Sequence, residues 1–339
     1  MGLNIALVGA SGIVGAEFLK ILSLWEHRIS NLRLLASSRS AGSKLTFRGE
    51  TLPVEETTLR SFEGVDIVFI SATAEASKRF APAAVSAGAV VIDDGSAYRM
   101  DPKVPLVVPE VNAEDLRWHE GIISTPNCTT VPLVMVLHAL RQASPMTRVV
   151  VSTYQSVSGA GTAAVTELTQ QTKDALAGKA MTPEVFPHQI AFNALPAVDV
   201  FLDNGYSKEE WKMQEETRKI LRLGGLPFSA TCVRIPVYQA HSMAVNVEFE
   251  KAVTPTQARG LLSEMPGVRI LDDPASDVYP HPVAASGTDE VFVGRIREDS
   301  SHTKGLALWL SADNLRKGAA LNAVQIAHGL LAMGLVGSP

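Results

Sequence analysis

A glycine-rich turn near the amino terminus constrains the fold more than any other segment. Gly9, Gly12 and Gly15 are spaced as G-x-x-G-x-x-G. An apolar run at Asn4–Ala10 leads into the turn, and a helical pattern at Ile13–Leu24 follows it. Glycines at such a point allow a tight turn, a close backbone approach to a pyrophosphate and close packing of helix on strand. The helix start also favours an anion. The segment therefore predicts a dinucleotide-binding unit, the alternative being a strand-to-helix turn without a ligand.

Short apolar runs alternate with amphipathic helical patterns through the first third of the chain. This alternation is typical of a parallel sheet with crossover helices on both faces. The predicted strands are Asn4–Ala10, Leu32–Ala36, Val65–Ser71 and Ala89–Asp93, with helices at Ile13–Leu24 and Glu75–Ala87. Together they predict a Rossmann-like domain.

After about Ser124 the strands become irregularly spaced, which predicts an α+β domain with a mostly antiparallel sheet. These strands are Val149–Ser158, Thr231–Val237, Ala244–Glu250, Val291–Glu298 and Leu306–Ala312. A final helix at Leu315–Met333 is expected to return to the first domain, so that Asn314 and Lys317 face a ligand. Because 339 residues exceed the size at which one core usually stops growing, we expect an α/β protein of two domains. Their predicted limits are 1–128 with 314–339, and 129–313.

The turn after the second predicted strand distinguishes between the two nicotinamide dinucleotides. An NAD site usually places an acid there, to bind the ribose 2′-hydroxyl. Residues 36–40 read ASSRS, without an acid. An arginine flanked by hydroxyls and backbone N–H groups suits a 2′-phosphate. Arg39 and Ser40 therefore predict NADP, unless Arg39 is only a solvated loop residue.

The charge balance points to small-molecule partners. A net charge of −5 provides no basic field for nucleic acid or an anionic membrane, so neither is expected as a partner. No apolar run approaches the roughly 20 residues that cross a bilayer, and no signal peptide is recognised. Two cysteines do not make a disulfide framework. We expect a cytoplasmic protein, and no metal site is predicted.

Cys128 is the candidate nucleophile. It lies among polar residues just before an apolar helical pattern at Val131–Leu140. The positive end of a helix dipole favours thiolate over thiol at such a place. Most free cysteines are instead small buried hydrophobes, a description that suits Cys232 inside a predicted strand.

A thiolate needs a base, and His241 is the first candidate. It follows Arg234 by seven residues, across a turn that could present both side chains to one pocket. By spacing alone, any of seven other histidines could serve: His27, His119, His138, His188, His281, His302 and His328.

The chain resembles the aspartate-β-semialdehyde dehydrogenases nearly end to end. The resemblance rests on several motifs in the same order: Gly9–Gly15, Leu35–Gly42, Pro126–Thr130, Thr153–Gly161, Arg234–Ser242 and Asp313–Ala320. It implies NADPH-dependent reduction of aspartyl phosphate to the semialdehyde, on the route to lysine, threonine and methionine. It also implies that the second domain is catalytic and forms a homodimer.

The resemblance further implies a role for each matching residue. Cys128 would carry the acyl group, His241 would act as acid and base, and Gln155 would orient the substrate. The implied substrate-binding residues are Arg234 for the carboxylate, Glu209 for the ammonium, and Lys212 and Arg99 for the phosphate. The implied cofactor-binding residues are Gly9, Ser11, Gly12, Ile13, Val14, Arg39, Ser40, Ser158, Gly159 and Asn314.

Two positions depart from the family pattern. Ala240 stands where a glycine usually precedes the histidine, which is unfavourable if the position needs a positive φ. Thr125 stands where asparagine is common. The alternatives are N-acetyl-γ-glutamyl-phosphate reductase, which usually has a P-G-C-Y loop, and a catalytically silent NADP-binding homologue. Glyceraldehyde-phosphate dehydrogenase shares the thioester chemistry but prefers NAD.

Overall fold

The computed structural model describes residues 2–336, which divide into two compact units. The first comprises the described residues of Met1–Asn127 and Ala319–Pro339, and the second comprises Cys128–Gly318. We propose that these units are the two domains expected from the sequence; the outer limits predicted at 1 and 339 lie outside the described residues.

Strands and helices alternate along the described chain. The strands are β1 (Leu3–Val8), β2 (Ile29–Ala36), β3 (Lys44–Phe47), β4 (Glu50–Glu56), β5 (Ile67–Ile70), β6 (Val90–Asp93), β7 (Ile122–Ser124), β8 (Met146–Gln155), β9 (Phe228–Arg234), β10 (His241–Phe249), β11 (Val268–Ile270), β12 (Val291–Glu298) and β13 (Gly305–Ala312). The helices are α1 (Ile13–Leu24), α2 (Ala74–Ser86), α3 (Pro109–Asn112), α4 (Thr130–Leu140), α5 (Thr162–Leu176), α6 (Lys208–Leu221), α7 (Pro255–Glu264), α8 (Pro282–Ala285) and α9 (Leu321–Ala332). Short 3₁₀ segments cover Ala113–Trp118, Val157–Ala160 and Pro274–Ser276.

The first unit contains a seven-stranded sheet in the order β3-β4-β2-β1-β5-β6-β7. Its strands pair in parallel except β3 and β4, which form an antiparallel edge hairpin. The chain leaves β1 toward β2 on one side and later returns to β5 on the other. Ligands bind at the carboxyl ends of strands where the order reverses in this way, so the expected dinucleotide site lies at the end of β1. The expected Rossmann-like architecture is confirmed.

The core of this unit has two layers, one on each face of the sheet. Alternate β1 side chains point to opposite faces, as the two-residue strand period requires. Ile5 and Leu7 pack in a cluster with α1 and α9 residues, including Phe18. Ala6 and Val8 pack in a second cluster with Phe80 of α2. The carboxyl end of β1 is thereby held by packing from both sides.

The second unit contains a six-stranded sheet in the order β11-β12-β13-β10-β8-β9. Its three central pairings are antiparallel, and the two outer ones are parallel. The mostly antiparallel sheet is confirmed, as is the predicted β12–β13 hairpin. Helix α4 packs against α6 and α7, and all three helices pack against this sheet.

Several predicted elements differ from the structure in their bounds, and two of the differences have a clear physical reason. Strand β9 stops at Arg234 rather than Val237, because Pro236 has no N–H group to continue the ladder. The predicted helix Leu315–Met333 is two pieces: a π-helical turn at Arg316–Ala320, then α9. In that turn the Gly318 N–H donates to the carbonyl of Asp313, five residues back, at 3.1 Å. Helix α9 belongs to the first unit.

Candidate active site

Cys128 lies at the start of α4 and is partly exposed. This is the position at which a helix dipole stabilises a thiolate. The π-helical turn passes close beside it: a Cβ at Gly318 would lie 2.9 Å from the Cys128 Cβ and 3.1 Å from its carbonyl oxygen. Only glycine fits position 318 without moving the cysteine.

The structure selects His241 among the histidines as the partner of Cys128. Their Sγ and Nε2 atoms are 3.4 Å apart, although the residues are separated by 113 positions in sequence. His241 is the first residue of β10 and is only 1% exposed. Burial, helped by the positive charge of Arg234, lowers the pKa of His241 to about 3. The imidazole is therefore neutral at pH 7.

Hydrogen bonding at the far side of the ring fixes the tautomer of His241. The Ser156 backbone N–H donates to Nδ1 at 3.0 Å, and the Ser156 hydroxyl lies 3.0 Å from the same atom. A backbone N–H can only donate, so Nδ1 is an acceptor and the ring proton resides on Nε2. That N–H points at the Cys128 sulfur, where it favours a thiolate, the stronger acceptor.

A buried polar network holds this histidine from behind. Asn314 Oδ1 accepts the Ala240 N–H at 2.9 Å and lies 3.2 Å from the hydroxyls of Ser156 and Ser158. Its Nδ2 donates to Ser158 at 3.0 Å. Asn314 and Ser158, predicted to contact the cofactor, thus pack behind His241 within the second unit.

Arg234 lies beside the Cys–His pair with its guanidinium buried. It ends β9 opposite Gln155 of β8, and its Nη1 donates to the Ser156 carbonyl at 2.7 Å. A Cβ at Gly159 would lie 3.0 Å from this Nη1 and 3.2 Å from His241 Nε2. A side chain at position 159 would therefore crowd both the guanidinium and the imidazole.

A second group of charges adjoins Gln155. Its Nε2 donates to Glu209 Oε1 at 3.1 Å. Lys212 Nζ donates to Glu209 Oε2 at 3.1 Å and to Asp199 Oδ2 at 2.7 Å. Burial opposes the charged form of Lys212, but these two carboxylates outweigh it and raise the pKa of Lys212. A Ser207–Glu210 capping box fixes the start of α6, so Glu209 and Lys212 are held on one face.

The first unit contains the predicted dinucleotide cradle. Gly9 has a φ of +89°, and a Cβ there would lie 2.0 Å from the Ser71 carbonyl oxygen. A Cβ at Gly15 would lie 2.4 Å from the Gly9 carbonyl oxygen, so this glycine is required for packing helix on turn. Helix α1 starts directly after Gly12 and directs its first N–H groups toward the turn.

A cavity of about 460 Å³ opens at this turn. Its lining includes the predicted residues Gly9, Ser11, Gly12, Arg39 and Ser40. Ile13 and Val14 follow at the start of α1, and Val14 packs against the core. Two cationic side chains, those of Arg39 and Arg79, line the same cavity as the serine hydroxyls and one acid, Glu56. This donor set matches a phosphorylated ribose better than a free one.

Arg99 lies in the loop after β6, at the carboxyl edge of the first sheet. Its Nη2 donates to the Asp94 carbonyl at 2.8 Å, and its side chain is buried. Burial raises the pKa of Asp94 to about 6, against the opposing effects of Arg99 and a Thr125 hydrogen bond. Thr125 Oγ1 donates to Asp94 Oδ1 at 2.8 Å. Thr125, which stands where asparagine is common, therefore has Asp94 as a defined hydrogen-bond partner.

Comparison with known proteins agrees with both units. Residues 4–119 match the model of the "semialdehyde dehydrogenase, NAD binding domain", and residues 137–317 match the "semialdehyde dehydrogenase, dimerisation domain". The aspartate-semialdehyde dehydrogenase of Aquifex aeolicus is 51% identical, over 99% of this chain and 100% of the relative. That of Bacillus subtilis is 48% identical over 99% of each. This chain belongs to the aspartate-semialdehyde dehydrogenase family.

Solved structures of this family superpose closely on the chain. Aspartate semialdehyde dehydrogenase II from Vibrio cholerae has a TM-score of 0.95 at 42% identity, covering 98% of this chain and 99% of that one. A second structure of that enzyme is a complex with ASA. The Candida albicans enzyme, solved with NADP, has a TM-score of 0.77 at 26% identity over 98% and 99%.

Ala240 has a backbone conformation that explains why the family usually has glycine at this position. Its φ is +69°, the left-handed region that favours the glycine usual in the family. The expected strain is therefore present next to His241. The hydrogen bond from Ala240 N–H to Asn314 is one of the contacts that hold this conformation.

The sequence did not reveal Ser156, Asp199 or Arg79. Ser156 acts partly through its backbone N–H, which no residue type encodes. Asp199 and Arg79 resemble ordinary charged surface residues until folding places them beside Lys212 and in the cofactor cavity. Cys232, by contrast, is fully buried against Met213 as expected, and burial raises the pKa of its thiol.

Among residues 2–336, the helices are all too short or too polar to cross a membrane.

Proposed function

We propose that this chain catalyses the NADPH-dependent reductive dephosphorylation of L-aspartyl-4-phosphate to L-aspartate 4-semialdehyde, reversibly, through a thioester on Cys128. The observation that carries the proposal is the Cys128–His241 pair at 3.4 Å, set beside a buried arginine and an acid–lysine pair in a member of this family. The reaction belongs to the biosynthesis of lysine, threonine and methionine.

The charges of the second unit suit the charges of this substrate. A buried guanidinium that keeps free N–H donors is the natural partner of the α-carboxylate, which assigns that group to Arg234. Glu209 carries the negative charge that an α-ammonium requires. Lys212 supplies a positive point charge for the substrate phosphate. The phosphate must compete with Asp199, which is already paired with the Lys212 side chain. An N-acetylated substrate has no ammonium to pair with Glu209, which argues against the glutamyl-phosphate alternative.

The first step forms a bond from the Cys128 sulfur to the acyl carbon and breaks the bond from that carbon to the phosphate oxygen. The phosphate leaves with the electron pair and takes up the proton that the overall reaction consumes. Gln155 orients the acyl group through its amide. The Nε2–H of His241 donates to the sulfur before attack and to negative charge that develops next to it afterwards.

The cofactor cavity fits NADP. Its glycines leave room for a pyrophosphate, the start of α1 supplies N–H donors, and Arg39 and Arg79 provide charge for a 2′-phosphate. When bound, NADPH would supply the hydride that reduces the acyl carbon. The bond from that carbon to the Cys128 sulfur then breaks, which releases the aldehyde and returns the thiolate to Cys128. The roles implied for Arg99, Ser158, Gly159 and Asn314 toward phosphate and cofactor stay predictions.

The deciding experiment compares two substrates. Phosphate-dependent reduction of NADP is measured with aspartate semialdehyde and, in parallel, with N-acetylglutamate semialdehyde. We expect preference for the first, and preference for the second would overturn the assignment.

A Cys128→Ala variant separates catalysis from binding. It should lose turnover completely while NADP affinity, read by fluorescence titration, stays at the wild-type value. Appreciable residual turnover would contradict a thioester on Cys128.

We infer a homodimer through the uncovered face of the second sheet. Paired residues of its central strands share that face and are only partly buried in one chain; they include Val150, Ser152, Tyr154, Ala244 and Trp309. Tyr154 and Trp309 stack with ring centroids 5.0 Å apart. Sedimentation of Trp309→Glu beside wild type tests this: the variant should shift toward monomer. A cytoplasmic location and the absence of nucleic-acid partners stay predictions.

A further inference from the structure

Three side chains of metal-ligand type meet on the first unit, near the end of α1. Glu26 and His27 lie in the connection between α1 and β2, and His328 lies on α9. His27 Nε2 and His328 Nδ1 are 3.1 Å apart. Glu26 Oε1 is 3.6 Å from the same His328 Nδ1, and the three ligand atoms all lie within 4.8 Å of one another.

Two of these three separations, those from His328, suit one small divalent ion. Two ligands of a tetrahedral Zn²⁺, each bound at about 2.0–2.1 Å, lie roughly 3.3 Å apart. The distances of 3.1 Å and 3.6 Å from His328 Nδ1 lie on either side of that value. Without an ion, the two imidazoles can share at most one hydrogen bond at this contact. Both can bind a cation through a lone pair at once.

The surrounding residues hold the ligands in place before any ion binds. Arg48 donates to the carbonyls of Leu22, Ser23 and Trp25 at 3.1, 3.2 and 3.0 Å. It thereby fixes the carboxyl end of α1 and the segment that leads into Glu26. The Trp25 ring packs edge-on against His27, with centroids 4.8 Å apart.

Helix α9 presents the third ligand, and it packs against α1 through the apolar core. Both sides of the site are therefore held by the fold of one unit. An organised site needs less ordering on binding and so binds more tightly.

We propose that Glu26, His27 and His328 form a surface site for a divalent transition metal, with zinc as the physiological candidate. His27 binds through Nε2, His328 through Nδ1 and Glu26 through one carboxylate oxygen, and solvent completes the tetrahedron. The ion joins the α1–β2 connection to α9, so it stabilises the first unit by mass action. It takes no part in the reaction. Copper and nickel suit the same imidazole-rich ligands.

The experiment measures Zn²⁺ binding to the full chain by competition with a chromogenic chelator. A Cys128→Ser background removes the active-site thiolate, which is itself a zinc ligand. In that background we expect one bound zinc per chain. His27→Ala or His328→Ala should weaken it at least about tenfold, since loss of even a ligand-supporting residue has an effect of that size.

A matched control is His302→Ala in the same background. His302 is also a partly exposed histidine beside a glutamate, with Glu248 at 4.0 Å, but within residues 2–336 it belongs to no group of three metal-ligand side chains. It should leave zinc affinity unchanged. Zinc should raise the melting temperature of the background protein and of the His302 variant, but not of the His328 variant.

Equal zinc affinity in the background, His27→Ala and His328→Ala proteins would overturn the proposal. So would an equal loss in the His302 variant. Circular dichroism and NADP affinity without zinc establish that each variant is folded. The His328→Ala enzyme with Cys128 intact should retain wild-type turnover, which separates this site from the proposed function.

Discussion

The cofactor cavity and the Cys–His site differ in what they are made of. The cavity is built on backbone: glycines 9 and 15 let carbonyls and N–H groups come close, within one short strand–turn–helix segment. The Cys–His site is built on side chains that arrive from distant segments, and its central pair is separated by 113 positions. One is a local structure and the other is a product of the whole second unit.

The two sites therefore respond differently to substitution. In the cavity, an added atom collides with backbone that cannot yield. In the Cys–His site, a substitution of Cys128 or His241 removes a reacting group or changes its position or protonation. The order of expected effects follows from this contrast.

The largest effect after loss of Cys128 is expected at His241. His241→Ala should lower kcat by about 10²–10⁴-fold, the usual effect of removing a positioned proton donor. His241→Gln, whose amide also offers an N–H donor, should retain clearly more activity than the alanine variant. Equal activity of the two variants would contradict the donor role.

The pH dependence of activity and of stability tests whether His241 is neutral in the folded protein. With its pKa lowered to about 3, His241 does not titrate between pH 5 and 8, so kcat/KM should show no ionisation from this residue in that range. Below pH 6.5 the unfolded chain binds a proton that the native one excludes, so stability falls as pH drops from 6.5 toward 3. Chemical denaturation at several pH values should show a smaller decline in His241→Gln.

In the cavity, Arg79→Ala should weaken NADP binding by about 10–100-fold, because a charge-assisted hydrogen bond contributes about 1.5–3 kcal/mol. NAD binding should hardly change, since NAD carries no 2′-phosphate. Titration of both cofactors measures the ratio. An equal loss for both would mean that Arg79 supports the fold of the cavity rather than the phosphate.

Removal of the Asp199 carboxylate tests competition for Lys212. Asp199→Asn should lower the KM for inorganic phosphate in the oxidative direction by up to about fivefold, since a partly exposed ion pair contributes at most about 1 kcal/mol. The neighbouring exposed Asp203→Asn serves as control. An unchanged KM in the Asp199 variant would remove Lys212 from the phosphate site.

The smallest effect is expected at Ala240. Here the feature that a substitution would change is backbone strain, and it lies next to the reacting side chain of His241. Ala240→Gly should raise the free energy of unfolding by about 1 kcal/mol, because glycine adopts a φ of +69° without steric cost. Urea unfolding measures the difference, and Ala244→Gly in the adjoining strand should destabilise instead.

Much of the first unit could be predicted because its determinants are contiguous. The helix Ile13–Leu24 has the bounds expected from its periodicity. The absence of an acid after β2 predicted NADP, in agreement with the NADP complex of a relative. The late helix was predicted less well, because a wide turn centred on Gly318 interrupts its periodicity through a contact with Cys128 that sequence spacing does not contain.

The sequence by itself determined the fold class, the cofactor turn and the likeness to the family, since each depends on residues near one another along the chain. Without the family resemblance, the sequence did not determine which of the eight histidines is the partner of Cys128. Only the tertiary structure decided that His241 contacts the sulfur and that its proton lies on Nε2. Distances between side chains from different strands, and the backbone donor at Ser156, exist only once the sheet of the second unit has formed.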